Sequence, residues 1–211
     1  MGLAILRAML AAHGGAWLML RTDGDLRARS AKATQIMGIV FLVCFLLAGA
    51  WLYFGNIQGY TLAQPFDTNA VANPLAKQVI TDANPGWMNN YSIYPITMIA
   101  PIMAILGALI VIAAAGKAKA GLSFLGTSLA VTGAILTAGF SLFPFLMPSS
   151  TNPTVSLTMW DAVASKNSLT VMTVAACIFV PLILCYTTWC YYKMWGVVTN
   201  KHIQENSHSL Y

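Results

Sequence analysis

Charged side chains are scarce in this sequence. Asp, Glu, Lys and Arg make up 8% of its 211 residues, whereas hydrophobic residues make up 58%. A soluble domain carries about a quarter charged residues and about half apolar ones. The shortage of charge therefore excludes an ordinary soluble domain and indicates an integral membrane protein. The longest stretch without a charged residue runs from Ala120 to Trp160.

Cysteine is also sparse, and its spacing argues against two common kinds of site. The four cysteines lie in apolar segments and include no Cys-x-x-Cys pair, so neither a disulfide framework nor a zinc site is indicated. Buried cysteines of this kind act as small hydrophobic residues. We also expect no cleavable signal peptide, because the apolar run from Ala8 to Leu20 lacks a small-residue cleavage site and is followed by basic residues.

Basic residues outnumber acidic ones by 11 to 6. Nucleic-acid binding would require them to cluster on a solvated face. Here they lie in short turns between apolar runs, so we expect no nucleic-acid partner. Lys and Arg are enriched in the cytoplasmic turns of membrane proteins, and eight of them fall on one side against Lys77 and Lys166 on the other, which predicts an outer N-terminus and a cytoplasmic C-terminus. The eight are Arg21, Arg27, Arg29, Lys32, Lys117, Lys119, Lys193 and Lys201.

Five apolar runs are long enough to cross a bilayer, which requires about 20 helical residues. We place these spans at about residues 1–20, 34–54, 95–115, 121–145 and 169–191. The predicted fold is an all-α integral membrane protein with one membrane domain, in which four spans form an antiparallel bundle and the fifth packs at its edge. The fourth span carries small residues three and four apart, among them Gly126, Ala130 and Gly133, which permits close helix contact.

The segments around the spans carry turn signals. Residues 56–94 are polar and contain Asn-Pro turns, so we expect an external loop with at most a short surface helix near residues 75–80. Proline interrupts helical hydrogen bonding. We therefore expect Pro101 to bend the third span, and Pro144 to help end the fourth at about Phe145.

Arg7 is the one charged residue inside a predicted span. An arginine at the bilayer centre costs about 2.5–3.5 kcal/mol on insertion scales, and intramembrane charges usually serve a function. Two interpretations are open. The side chain extends to a lipid headgroup or another structural contact near the outer surface, or it pairs with an acidic residue of another helix or chain.

His13 is the one histidine inside a predicted span, so this chain alone cannot supply two histidine ligands to a haem. A His/Met ligand pair stays open because the chain has 11 methionines, although methionine in apolar helices usually serves packing. The alternative is that His13 forms a hydrogen bond across helices.

Asp161 follows Trp160 just before the fifth span, on the predicted outer surface. We interpret it as an interfacial acid that holds the turn or pairs with Lys166, an interaction worth about 0–1 kcal/mol. Proton or ion handling is the alternative. Paired carboxylates, a Ser/His/Asp set and a Gly-rich phosphate loop are all missing at usable spacing. We therefore predict no self-contained catalytic site, and no cofactor-binding or metal-binding residue in this chain.

Several stretches resemble subunit II of the cytochrome bd-type quinol oxidases. They read GGAWLMLRTDGDL, TAGFSLFPFLMPSS, SLTMWDA, CYTTWCYYKMWG and HSLY, and they occur in the family's order from about residue 13 to the end. The resemblance covers the whole chain and implies the second half of a nine-helix subunit, built from two four-helix bundles and a last helix. The first half, which carries the acidic residues of the proton pathway, would lie outside this sequence.

The resemblance further implies oxidation of membrane quinol by oxygen, giving water, in aerobic respiration at the bacterial cytoplasmic membrane. In such oxidases haems b and d and the quinol-oxidation site belong to subunit I. This chain would then act as a scaffold for subunit I and bind no haem alone. Further partners that the resemblance allows are a structural quinone or lipid in a groove, and a separately encoded N-terminal half of subunit II.

Two other functions remain open on the residues alone. A five-span transporter or channel half would line a path with helices broken at Pro101, Pro144 and Pro181. The last three spans, however, offer mainly Ser and Thr hydroxyls, which usually satisfy helical carbonyls or bridge helices. An assembly protein without activity is the third candidate, because the sequence corresponds to part of a subunit.

Overall fold

The computed structural model describes residues 1–55, 57–64, 77–82, 86–193, 195–197 and 199. Within these residues five helices are long and apolar enough to cross a membrane, which confirms the prediction of an all-α membrane protein. In chain order the helices are α1 (Gly2–Arg21), α2 (Gly24–Phe54), the short α3 (Asn89–Ile93), α4 (Ile99–Gly116), α5 (Ala120–Leu142) and α6 (Lys166–Lys193). A 3-10 turn, Pro95–Met98, extends α4 at its N-terminal end.

Helices α1, α2, α4 and α5 form an antiparallel bundle. α1 packs on α2 and α5, and α4 packs on α5 and α2. Small side chains and one ring fill the centre, where each residue is at most 5% exposed: Ala8, Phe41, Ala104, Ala108 and Ala130. Because alanine side chains are short, the helix backbones can approach closely. In a membrane the hydrophobic effect does not drive helices together, so this close van der Waals packing stabilises the bundle.

Helices α4 and α5 approach each other closely at three glycines. A Cβ added to Gly107 would overlap the backbone nitrogen of Ala130, and one added to Gly133 would overlap the backbone nitrogen of Ala104. At Gly126 the added carbon would lie 3.1 Å from the carbonyl oxygen of Gly107. The glycines therefore set the spacing of these two helices, as the small-residue pattern predicts.

Helix α6 lies at the edge of the bundle. None of its side chains is buried within the described part of the chain. At its inner end the ring of Tyr191 meets Trp17 edge-on, with centroids 5.8 Å apart. The Arg21 guanidinium lies 4.5 Å from the Trp17 ring and 4.2 Å from the Trp195 ring, and donates a hydrogen bond to the carbonyl of Gly196. The peripheral position predicted for the fifth span is confirmed.

Two small antiparallel sheets form at the end of the bundle opposite the turn between α4 and α5. β1 (Gly59–Leu62) pairs with β2 (Val79–Asp82), and β3 (Phe145–Met147) pairs with β4 (Leu157–Thr158). Tyr60 joins the two sheets, because its hydroxyl donates to the carbonyl of Ser149 at 3.1 Å and its ring contacts Trp87 and Phe145. We call residues 57–64, 77–82, 86–94 and 143–165 the outer cap, after the side of the membrane predicted for them, and use inner and outer below in that predicted sense.

Helix α2 is longer than the predicted second span. It begins at Gly24, before Thr34, and runs for 31 residues. Gly24 has a φ of +63°, a left-handed conformation that glycine adopts without strain. It allows the chain to reverse within two residues of α1, so the basic segment predicted as a turn forms the first turns of α2.

The predicted end of the fourth span also needs correction. α5 ends at Leu142 rather than Phe145, and Phe145 belongs to β3, where it is 3% exposed. Pro101 is the third residue of α4, shortly after the 3-10 turn, and the bend expected there stays a prediction.

The prediction of a loop with at most a short surface helix near residues 75–80 was wrong where it can be compared, because a strand forms there. Val79 and Ile80 belong to β2, and both are β-branched residues that favour strands. Residues 75 and 76 lie outside the described residues.

Candidate functional site

His13 is held between α1 and α5. Its Nδ1 lies 2.9 Å from Oγ1 of Thr127, and its ring stacks on Phe124 with centroids 4.9 Å apart. The Thr127 hydroxyl also lies 2.8 Å from the carbonyl of Phe124, and when it donates there it accepts from a protonated Nδ1 of His13. The interhelical hydrogen bond proposed for His13 is confirmed.

The bundle interior beside His13 does not fit a haem. The void among Met9, Ala12, Phe41 and Ala108 has a volume of about 10 Å³, which is roughly the space one water needs. In the described residues no three His, Cys, Asp or Glu side chains come together as metal ligands.

Asp161 accepts several hydrogen bonds in the outer cap. Its Oδ2 lies 2.6 Å from Nζ of Lys77, and it also accepts from the backbone N–H and the hydroxyl of Thr158, at 3.1 and 2.6 Å. The side chains are buried, with exposures of 0% for Asp161 and 6% for Lys77. The predicted role of Asp161 in holding the turn is confirmed.

The predicted pairing of Asp161 with Lys166 was wrong. Lys166 is the first residue of α6 and is exposed. Lys77 instead enters the cap just before β2 and reaches Asp161, which follows β4. A buried carboxylate needs a buried counter-charge. The lysine that provides it lies beside strand β2 and is distant from Asp161 in the sequence.

The cap keeps Asp161 ionised. Burial raises the pKa of this carboxyl, but the hydrogen bonds from Lys77 and Thr158 and the charge of Lys77 together outweigh it, so the pKa lies below the ordinary value of 3.8. Oδ1 is buried and has no hydrogen-bond partner among the described residues. At neutral pH this arrangement acts as an ion pair that joins two cap segments, and it holds no proton to transfer.

Arg7 is exposed on α1, on the side away from the bundle centre. Within the described residues it has neither an ion pair nor a hydrogen-bond partner. Its two interpretations, a headgroup contact and an acidic partner in another helix or chain, both stay predictions.

Two residues that form contacts in the structure were not predicted to do so from the sequence. Lys77 lies 84 residues from Asp161. The one indication of their pairing was that both are among the few charged residues assigned to the outer side. Arg21 was counted as a topology marker, yet it also lies between the Trp17 and Trp195 rings. The nearby aromatic residues at the inner end of the fifth span were the signal for that contact.

Fold and site together define a class: a helical protein that crosses the membrane several times, with a charge-poor bundle and a polar cap joined by an ion pair. The chain belongs to the cytochrome bd terminal oxidase subunit II family, whose sequence model matches residues 1–194. The resemblance noted in the sequence is confirmed. Family membership and the five apolar helices of the described residues make it a multi-pass protein of the bacterial inner membrane.

Relatives from three bacteria support this assignment. The chain is 43% identical over 203 residues to cytochrome bd-I ubiquinol oxidase subunit 2 of Escherichia coli K12, covering 96% of this chain and 53% of that protein. It is 40% identical to a probable cytochrome oxidase subunit 2 of Haemophilus influenzae, covering 97% and 53%. For cytochrome bd ubiquinol oxidase subunit 2 of Bacillus subtilis the identity is 30%, covering 90% and 47%. The chain thus spans about half the length of these curated relatives.

Proposed function

We propose that this chain is part of subunit II of a cytochrome bd-type quinol oxidase, a complex that oxidises membrane quinol and reduces oxygen to water in aerobic respiration. The observation that carries the proposal is the family match over residues 1–194. The relatives from Escherichia coli and Bacillus subtilis are ubiquinol oxidase subunits.

The chain's own contribution is a scaffold for the haem-bearing subunit I. Haems b and d, which supply electron transfer to oxygen, belong to that partner in this proposal. Two features support it: alanine side chains fill the bundle centre, and His13 is engaged by Thr127. The exposed apolar side chains of α6 offer surface for lipid or for a partner helix. A bound quinone and a separately encoded N-terminal half of subunit II belong to the same proposal.

We propose an outer N-terminus and a cytoplasmic C-terminus. The basic residues support this orientation, because Arg21, Arg27, Lys117 and Lys119 all lie at the end of the bundle opposite the cap. Arg27 reaches the turn between α4 and α5 and donates to the carbonyl of Ala118 at 3.3 Å. Positive charge concentrated at one end marks the cytoplasmic side.

The test is co-expression with subunit I in a bacterium that lacks its own terminal oxidases, with and without the coding region upstream of this chain. The purified membrane complex should show a haem absorption spectrum and consume oxygen when given a reduced quinol. A chain that purifies intact and never brings a haem-bearing partner, in either form, would contradict the proposal.

The transporter alternative is disfavoured by the family assignment. A transport path needs polar or ionisable groups converging at mid-membrane, whereas the described bundle centre consists of Ala8, Ala104, Ala108 and Ala130 around Phe41. Proteoliposomes containing the chain should accordingly show no substrate or ion uptake above empty vesicles.

A further inference from the structure

We propose that Arg7 forms an ion pair, inside the membrane, with an Asp or Glu on a transmembrane helix that lies outside this chain and packs against the exposed side of α1. The proposal goes beyond the oxidase function, because it concerns how the bundle is held in its assembly. It holds whether or not that assembly oxidises quinol.

The depth of Arg7 follows from two contacts between α1 and its neighbours. His13 meets Thr127, which is the eighth residue of α5. Arg7 is six residues further toward the outer side, about 9 Å at 1.5 Å per residue. That places it level with Gly133, about 20 Å from the inner end of α5 and about 14 Å from its outer end. Ala8, next to Arg7, agrees with this depth because it shares a buried cluster with Ala130.

The direction of Arg7 follows from the two sides of α1. The buried side consists of Ala8, Ala12, Ala16 and Met19. Arg7 lies in the exposed stripe with Leu3, Leu10, Ala11, Gly14 and Leu18. A Cβ added to Gly14 would meet nothing within 4 Å, so no described part of this chain covers the stripe below Arg7.

A charge at this depth needs a partner. The guanidinium keeps its charge in proteins, and intramembrane cations usually pair with an acidic group or a backbone carbonyl. The outer end of α5 is about 14 Å away, so a contact with a lipid phosphate would require the guanidinium to extend fully toward that end or the headgroup to be drawn inward. A carboxylate matches the planar guanidinium with two parallel hydrogen bonds.

None of the acidic residues that the structure describes in this chain lies at that depth, and a second copy of the chain would bring the same residues. The six acidic residues are Asp23, Asp25, Asp67, Asp82, Asp161 and Glu205. Among the spanning helices of the described residues Asp25 is the sole acid, and it is the second residue of α2, at the inner end. A helix of different sequence, with an acid near mid-membrane, is therefore the occupant.

Site-specific photo-crosslinking identifies that helix in the native membrane assembly. A photoreactive residue at Ala11, one turn below Arg7, is compared with the same residue at Leu125, which is 65% exposed on α5. Mass spectrometry of the Ala11 product should yield a peptide from an apolar segment that contains Asp or Glu, and the Leu125 product should not. Crosslinking of Ala11 to lipid alone would overturn the proposal.

Substitution of Arg7 provides a test based on the sign of the effect. If Arg7 is paired, Arg7→Leu leaves a buried carboxylate without a counter-charge, and the fraction of chain in the assembled complex should fall about tenfold, with Arg7→Lys retaining more. If Arg7 is unpaired in lipid, Arg7→Leu removes a charge from hydrocarbon and assembly should be unchanged or improved, which would refute the pairing. Leu125→Ala serves as the lipid-facing control.

A charge exchange completes the design. Arg7→Glu combined with Lys in place of the crosslinked acid should restore assembly that each single substitution reduces. Failure of the exchange, with both single variants inserted in the membrane, would count against a direct pair. Haem content and quinol oxidation are measured on the same preparations, so that loss of the oxidase proposal and loss of the ion pair give separate results.

Discussion

Lys77 and Asp161 show how two single residues join distant parts of the outer cap. The carboxylate receives bonds from Lys77 and from Thr158 while 0% of its side chain is exposed. Removing one member of a buried ion pair is costly because the other charge stays buried without a counter-charge. The pair therefore matters more for the integrity of the cap than an exposed pair with Lys166 would.

Asp161→Asn is expected to destabilise the cap by about 3 kcal/mol. The physical reason is that Lys77 keeps its charge in a buried position after its counter-charge is gone. The rate of cleavage by a protease added on the cap side should rise by about two orders of magnitude, because cleavage follows the population of the open form. Lys166→Gln is the matched control and should leave the rate unchanged, since Lys166 is exposed.

The stability of the cap should also depend on pH in a defined window. The pKa of Asp161 is lowered in the folded protein from its ordinary value of 3.8, so its contribution is present above about pH 4 and is lost as pH falls through the lower folded value. Resistance to an acid-active protease should stay constant from neutral pH down to about 4 and decrease below it. In Asp161→Asn this additional decrease should disappear. A loss of resistance already at pH 6 in the wild type, and absent from the variant, would contradict the lowered pKa.

At the scale of elements, the contact between α4 and α5 depends on glycine. Gly107 and Gly133 each lie against the backbone of the facing helix, so even a methyl group has no space there. A methyl group inserted there would force the backbone of the facing helix to shift. Such a shift costs more free energy than the movement of a flexible side chain.

Gly133→Ala is expected to weaken the bundle by about 1–3 kcal/mol, because the added Cβ would lie 2.8 Å from the carbonyl oxygen of Ala100. Gly139→Ala on the same helix is the matched control, since its Cβ meets nothing within 4 Å. Unfolding by sodium dodecyl sulfate in mixed micelles, followed by circular dichroism, should show a lower midpoint for Gly133→Ala alone. Equal midpoints for the two variants would mean that the α4–α5 distance is not set by Gly133.

At the scale of the whole molecule, the basic and polar ends of the bundle define two sides of the membrane. The turn between α4 and α5 carries Lys117 and Lys119, whereas the outer cap lies at the opposite end of the same helices. The orientation proposed above places the turn in the cytoplasm and the cap outside.

Single cysteines in an otherwise cysteine-free chain test this orientation. Ser150→Cys in the cap should react with a membrane-impermeant maleimide in intact cells, and Lys117→Cys should react only after the cells are opened. Both positions are exposed, so accessibility within the protein is matched. The reverse labelling pattern would place the N-terminus in the cytoplasm.

The sequence by itself determined the membrane class, the number of spans, the small-residue contact of the fourth span and the family. These properties depend on residues close together in the chain, through hydropathy over about 20 residues and helical spacing of three and four. The ends of the helices were predicted less accurately, as Gly24 and Leu142 show. Hydropathy does not report a glycine with positive φ or the pairing of a strand that follows a helix, and these two features set the ends.

Only the tertiary structure decided which polar groups meet. His13 and Thr127 are 114 residues apart, and Lys77 and Asp161 are 84 apart, so no local pattern links them. The outward direction of Arg7 is likewise a result of which side of α1 packs on α2 and α5. A buried polar group is stable only if it forms a hydrogen bond or an ion pair. The packing of whole helices and sheets determines which residue is near enough to be that partner.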